Sequence, residues 1–184
     1  MNLGKLARTN KIILITGETG SGKSRLARRF HFLSKREKYV HVNICNFSSA
    51  LIEAELFGHA KGAFTGAHSQ RIGFLESAST GTLFLDEIGD LGLEAQSKLL
   101  MVLEEGTYFP VGSTKEQKFK GRLIFATNKN LQEMVKRGEF REDLYHRIRC
   151  FEVKLDSLRN RSDKNEVIEQ AITKIKCDNQ KAGL

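Results

Sequence analysis

Residues 12–24 read IILITGETGSGKS, and the fold follows from how this stretch is read. A short, unbroken apolar run (12–16) is what a parallel strand covered on both faces looks like. It runs into Gly17, Glu18, Thr19, Gly20, Ser21, Gly22, Lys23 and Ser24, which match the spacing GxxxxGK[ST] in full. The following residues, Lys23–Ser34, read as a helix, so the motif has the strand before it and the helix after it that the chemistry requires. Glycines allow a tight loop whose backbone N–H groups face a phosphate, and the helix N-terminus adds its partial positive charge. Lys23 then reaches the β- and γ-phosphates, and the Ser24 hydroxyl becomes a ligand for Mg²⁺.

Three more apolar runs read as buried strands: Tyr39–Asn43 (YVHVN), Thr82–Asp86 (TLFLD) and Arg122–Thr127 (RLIFAT). A weaker fifth candidate covers 150–155 (CFEVKL). Between them, Ser49–Phe57, 91–104, Leu131–Lys136 and 139–148 have helical character. In the second of these, Leu93, Leu99, Leu100, Val102 and Leu103 form an apolar stripe. Alternating strands and helices predict an α/β domain with a mostly parallel five-stranded sheet and helices on both faces. Each of the four stronger strands ends at its carboxyl side in glycine or polar residues: Gly17, Asn43, Asp86-Glu87 and Thr127-Asn128. Ligands of open α/β sheets bind at that edge, so these endings predict one shared polar site.

LFLDE (83–87) supplies the second half of that site. Asp86 is expected to hold Mg²⁺ and Glu87 to polarise the water that attacks the γ-phosphate. Asn43 can hydrogen-bond Glu87 and Asn128 can contact the γ-phosphate or its water; for each, capping a turn is an equal alternative. In FREDLYHRI (140–148), Phe140, Leu144 and Ile148 share one helical face and leave Arg141 and Arg147 outside it. An arginine there can stabilise phosphoryl transfer from a neighbouring subunit. Arg147 can instead pair with Asp143, four residues earlier.

The 184 residues correspond to one domain, or one domain plus a fragment, with 40% hydrophobic and 28% charged residues as in ordinary globular chains. No apolar run approaches the roughly 20 residues that cross a bilayer, and the start of the chain does not read as a signal peptide. A cytoplasmic protein with no membrane contact is expected. Cys45, Cys150 and Cys177 form neither a metal motif nor a disulfide framework; Cys45 and Cys150, beside strand-like runs, are expected to pack in the interior. The net charge of +8 fits an acidic partner such as nucleotide or nucleic acid, although many basic residues belong to solvated faces. After Asp156 the chain turns polar, with Val167, Ile168, Ala171, Ile172 and Ile175 at helical spacing.

GHAKGAFTGAHSQ (58–70) has too little apolar bulk to bury itself and no carboxylate or thiol for chemistry. With GETGSGKS, GTLFLDEIGDL, RLIFATNKNL and FREDLYHRI, it makes residues 12–156 resemble the AAA+ ATPase domain of bacterial sigma-54-dependent transcriptional activators. That resemblance implies a P-loop three-layer sandwich over 1–156, ATP and Mg²⁺ as ligands, and a hexameric ring with nucleotide between subunits. It assigns Asn43 as the residue that switches Glu87, and Thr127 with Asn128 as the nucleotide sensor. Arg141 and Arg147 would face the neighbour's nucleotide. Gly62, Ala63, Phe64, Thr65, Gly66 and Ala67 would grip sigma-54 of the RNA polymerase holoenzyme, with promoter DNA engaged only indirectly. Residues 112–120 fall where the family has a second pore-facing loop, and 157–184 where its helical lid begins. Departures from the family pattern are Ser24 in place of an acid, Thr80 in place of a glycine, and no proline in LDSLRNR (155–161). Two other functions stay open: a non-catalytic module that binds nucleotide weakly and modulates hexamers of longer relatives, and an AAA+ machine with another client.

Overall fold

The computed structural model describes residues 6–157, so the amphipathic spacing at 167–175 and Cys177 lie outside the described residues. In chain order the elements are β1 (Ile13–Thr16), α1 (Lys23–Ser34), β2 (Tyr39–Asn43), α2 (Ser49–Phe57), α3 (Phe74–Ala78) and β3 (Thr82–Asp86). They continue with α4 (Leu93–Glu105), β4 (Thr107–Tyr108), β5 (Gln117–Lys118), β6 (Arg122–Thr127), α5 (Leu131–Lys136), α6 (Glu142–Ile148) and β7 (Glu152–Lys154). Among the described residues, no helix is long and apolar enough to cross a membrane.

Five strands form one sheet in the order β2-β3-β6-β1-β7, and every pairing in it is parallel. Central β3 and β6 are buried along their whole length, whereas the edge strands β2 and β7 are only partly covered. This is why the central strands are unbroken apolar runs while the weaker 150–155 run narrows to three paired residues. Successive side chains point to opposite faces. Ile13, Ile15, Phe84, Ile124 and Ala126 therefore meet Ala27 and Phe30 of α1 in one core, together with Leu6 and Ala7. Leu14, Leu83, Leu85, Leu123 and Phe125 join the other core, which α2 to α6 cover. The result is the expected three-layer α/β sandwich.

Differences from the expected elements have local causes. The buried seam of α4 is Ala95, Leu99 and Val102 with Gln96, while Leu93 in its first turn is 48% exposed. Helix α6 starts at Glu142 rather than 139, because Gly138 takes a left-handed turn (φ 71°) that ends α5 and re-aims the chain. Helix α3 and the β4–β5 hairpin are too short to leave a periodic signal. Cys45 and Cys150 are exposed, contrary to the packing role expected of them. Val42 and Ile44 occupy the interior on either side of Asn43, which leaves Cys45 on the outside of the following turn.

One polar interaction anchors the chain start. Arg122, fully buried at the head of β6, donates to the carbonyls of Ala7 (2.6 Å), Leu6 (3.1 Å) and Lys11 (3.3 Å). Its guanidinium lies 5.8 Å from the Phe30 ring centroid. Burial lowers its pKa to about 10, so it stays charged at neutral pH and is held by carbonyl dipoles rather than a carboxylate.

Candidate functional site

Parallel registration brings the strand endings together: Thr16 is paired with Thr127, and Asn43 with Asp86. The loop 17–22 rises from this edge. Gly17 is required by space, since a Cβ there would sit 2.8 Å from the Leu155 carbonyl oxygen. Gly20 (φ 80°) and Gly22 (φ 95°) are required by backbone conformation, and nothing lies within 4 Å of where a Cβ would stand. Space around these two glycines is open, and it is their positive φ rather than crowding that demands glycine. The loop is tied down at two points: Gly17 N–H donates to the Thr127 carbonyl (3.2 Å), and the Asn128 amide donates to Thr19 Oγ1 (2.9 Å).

Lys23 is only 6% exposed, and its ammonium donates to the carbonyls of Gly17 (2.9 Å) and Glu18 (3.3 Å). Glu87 Oε1 lies 3.6 Å from it. Glu87 follows β3 in a left-handed conformation (φ 57°, ψ 51°), which non-glycine residues adopt at a cost of about 1–3 kcal/mol. That backbone turns the carboxylate back over the sheet edge, where Oε2 accepts the Asn128 N–H (3.1 Å). Asp86, 7% exposed, accepts the Ser24 hydroxyl at 3.0 Å and lies 3.5 Å from His41 Nε2. Burial alone would raise its carboxyl pKa, but His41 and Ser24 and the Lys23 charge outweigh burial and hold it below its usual value. Ser24 and Asp86 together form an anionic oxygen pair suited to a hard divalent cation.

Most predicted residues converge at this edge, but two do other work there. Asn43 Oδ1 accepts the Cys45 N–H (3.0 Å) and caps the turn after β2, while Lys23 and Asn128 hold Glu87. The capping alternative describes Asn43 in this conformation. Thr127, expected to contact nucleotide, is fully buried and its hydroxyl accepts the Lys129 N–H (3.0 Å). It reaches the loop through its carbonyl, and so positions the site from below.

Arg141 and Arg147 stand apart from this edge. Arg141 grips Asp143 through two nitrogens (3.0 and 2.6 Å) and donates to Ser97 Oγ (3.1 Å). Asp143 therefore pairs with Arg141, not with Arg147 as the helical spacing allowed. Arg147 is exposed and donates to the Leu103 carbonyl (3.0 Å). Fully buried Gln96 sets the segment before α6, accepting the Arg141 N–H (2.8 Å) and donating to the Leu91 (2.6 Å) and Glu139 (3.2 Å) carbonyls. Sequence reading passed over Gln96 and His41. The one signal for Gln96 is a polar residue within an apolar seam. For His41 it is a position two residues before Asn43, on the same face of β2.

Residues 62–67 close on themselves beyond α2. Gly62 N–H donates to the Ala67 carbonyl (2.8 Å), Ala67 N–H to the Phe64 carbonyl (3.0 Å), and Gly62 and Gly66 have φ of 80° and 100°. Phe64 is 41% exposed, its ring edge-on to His59 with centroids 5.0 Å apart. The base is held by His59, which bridges to Arg71 on one side and to Val111 on the other. Gly112 then comes so close that a Cβ on it would stand 2.6 Å from the Ala63 Cβ.

A parallel sheet between two helical layers, with a phosphate loop after β1 and paired carboxylates at the end of β3, is a P-loop domain, and its family places it in the AAA+ class. More particularly, residues 1–154 match the Sigma-54 interaction domain, and the chain belongs to that family. It is 52% identical over 158 residues to the Nif-specific regulatory protein of Rhizobium meliloti (strain 1021), covering 85% of this chain and 29% of that one. It is 46% identical over 163 residues to the DNA-binding transcriptional regulator NtrC of Escherichia coli (strain K12), covering 88% of this chain and 35% of that one. The chain thus spans about a third of the length of these relatives. The crystal structure of NtrX from Brucella abortus in complex with ADP superposes with a TM-score of 0.86 at 35% identity, covering 98% of this chain and 39% of that one. Likeness to Hsp104 (TM-score 0.59, 18% identity, 80% of this chain and 29% of that one) reflects the fold alone.

Proposed function

We propose that this chain is the ATP-binding and ATP-hydrolysing core of a sigma-54-dependent transcription activator, which remodels the polymerase complex through the 62–67 loop. The observation that carries this reading is Glu87: a strained backbone holds its carboxylate beside the phosphate-loop lysine and against the Asn128 N–H. Such strain belongs at sites where orientation matters more than stability. The NtrX crystallised with ADP and with ATP, at 35% and 36% identity, supports nucleotide as the ligand.

In this reading loop N–H groups and Lys23 bind the phosphates, and Glu87 accepts the proton of the attacking water. Asn128 holds both Glu87 and Thr19, so it links the base to the loop. Ser24 and Asp86 would hold Mg²⁺, which neutralises charge on the β- and γ-phosphate oxygens. Arg141 and Arg147, displaced from this edge, act on the nucleotide of an adjacent copy in a ring, which the family implies is a hexamer. Asn43 begins the turn leading toward α2, and the 62–67 loop follows α2 after residues 58–61, so the sheet edge and Phe64 are joined through that helix.

ATP turnover measured against protein concentration tests the assembly and the chemistry together. Turnover per chain should rise steeply with concentration, and Glu87→Gln should bind ATP but lose roughly 10²–10⁴-fold in rate. Turnover independent of concentration would remove the role of the arginines in trans; none at any concentration would leave a nucleotide-binding module without catalysis. Phe64→Ala should lose capture of sigma-54 in the presence of an ATP transition-state mimic while keeping nucleotide affinity.

A further inference from the structure

The metal end of the site contains a side chain that neither the phosphate loop nor the paired carboxylates account for. His41 lies on β2 opposite Phe84 of β3, two residues before the Asn43–Asp86 pair, so it shares the sheet face that carries Phe84 and Asp86. Its imidazole stacks on the Phe84 ring (centroids 4.8 Å apart, planes 27° apart), with Tyr39 on the side away from the edge (6.5 Å). Stacking fixes the ring plane and directs Nε2 along the strand toward Asp86 Oδ2, 3.5 Å away. The same Oδ2 receives the Ser24 hydroxyl at 3.0 Å. At 3.5 Å the His41–Asp86 contact is an ion-pair separation, longer than the roughly 2.7–3.2 Å of a well-formed hydrogen bond. Two donors each about 2.1 Å from one cation stand roughly 3.0–3.4 Å apart, which is close to both separations.

We propose that His41 is a third protein donor at the metal position, with Ser24 and Asp86, and that this makes the site favour a first-row transition ion such as Mn²⁺ over Mg²⁺. The proposal rests on the nucleotide-site reading above. An imidazole nitrogen suits first-row transition ions, most strongly Zn²⁺, Cu²⁺, Ni²⁺ and Fe²⁺ and least strongly Mn²⁺, whereas Mg²⁺ keeps to oxygen and water; Mn²⁺ is a paramagnetic member of the series and serves as the probe. The His41 side chain is one-third exposed and its Nε2 faces the Asp86 carboxylate. Ser24, Asp86 and His41 would hold the ion, and nucleotide oxygens and water would supply its remaining donors.

The full chain can be loaded with Mn²⁺ and ADP and examined by pulsed electron paramagnetic resonance, comparing protein with ¹⁴N-histidine and ¹⁵N-histidine. The expected result is a nitrogen coupling to Mn²⁺ that changes with the histidine label and disappears in His41→Gln but persists in His31→Gln. In parallel, His41→Gln should weaken Mn²⁺ binding on the order of tenfold and leave Mg²⁺ binding within about twofold. Mn²⁺ bound with ADP in an Asp86-dependent way, but without histidine coupling, overturns the ligand role of His41 and leaves the nucleotide site intact. So does a coupling that survives His41→Gln. No nucleotide-dependent Mn²⁺ binding overturns both this proposal and the nucleotide-site reading.

Discussion

Glu87 holds a backbone conformation that works against its own stability. Its left-handed backbone costs about 1–3 kcal/mol, and the return is a carboxylate placed between Lys23 and the Asn128 N–H. Asparagine tolerates that conformation better than glutamate. Glu87→Asn should therefore abolish hydrolysis while the midpoint of thermal unfolding stays level or rises, as measured by calorimetry. Lys23 makes the complementary case. Its ammonium is buried among the Gly17 and Glu18 carbonyls, and Lys23→Ala should weaken ATP binding at least about tenfold in a titration, a loss of about 1.4 kcal/mol. The placement of both side chains at the sheet edge was legible from the GKS and DE spacing, because loop geometry is local. Thr127 was not: whether a strand-ending hydroxyl faces the loop or the layer beneath it depends on the turn at Lys129.

At the level of elements, two loops meet above the sheet. The segment between β4 and β5 presents Gly112 to Ala63, with φ 71° and no room for a methyl group. Gly112→Ala adds both backbone strain and a clash with the 62–67 loop. Hydrogen exchange at the Gly62 and Ala67 amides, whose bonds close that loop, should accelerate several-fold, while exchange in β3 and β6 is unchanged. The loop itself could be read from its glycines; the contact with Gly112 could not, since residues almost fifty positions apart meet only once the sheet has formed. Helix α6 makes the same point. Spacing allowed Asp143 to pair with Arg147, but the helix begins at Glu142, so Arg141 precedes it and folds over the first turn onto Asp143. Gln96, reaching from α4, fixes that start.

Across the whole molecule, the chain start is joined to the sheet by Arg122, whose three carbonyl partners lie at Leu6, Ala7 and Lys11. Arg122→Met would keep the volume and the contact with Phe30 but remove the guanidinium donor from the carbonyls of Ala7 and Lys11, while the Leu6 carbonyl keeps the N–H and hydroxyl of Thr9. It should lower the free energy of unfolding by about 3 kcal/mol, measured by urea denaturation, and speed proteolysis around residues 6–11. By itself, the sequence determined the three-layer α/β class, the phosphate loop, the central strands and the family resemblance. Each of these depends on apolar period or on residue types within one short segment. Only the tertiary structure decided which groups share the site. Parallel registration set His41 beside Asp86 and Asn128 against Glu87 and Thr19, and the packing of α4 against α6 set Gln96 under Arg141. Those contacts join residues 41 to 109 positions apart in the chain, and nothing in a local pattern encodes the register that brings them within reach.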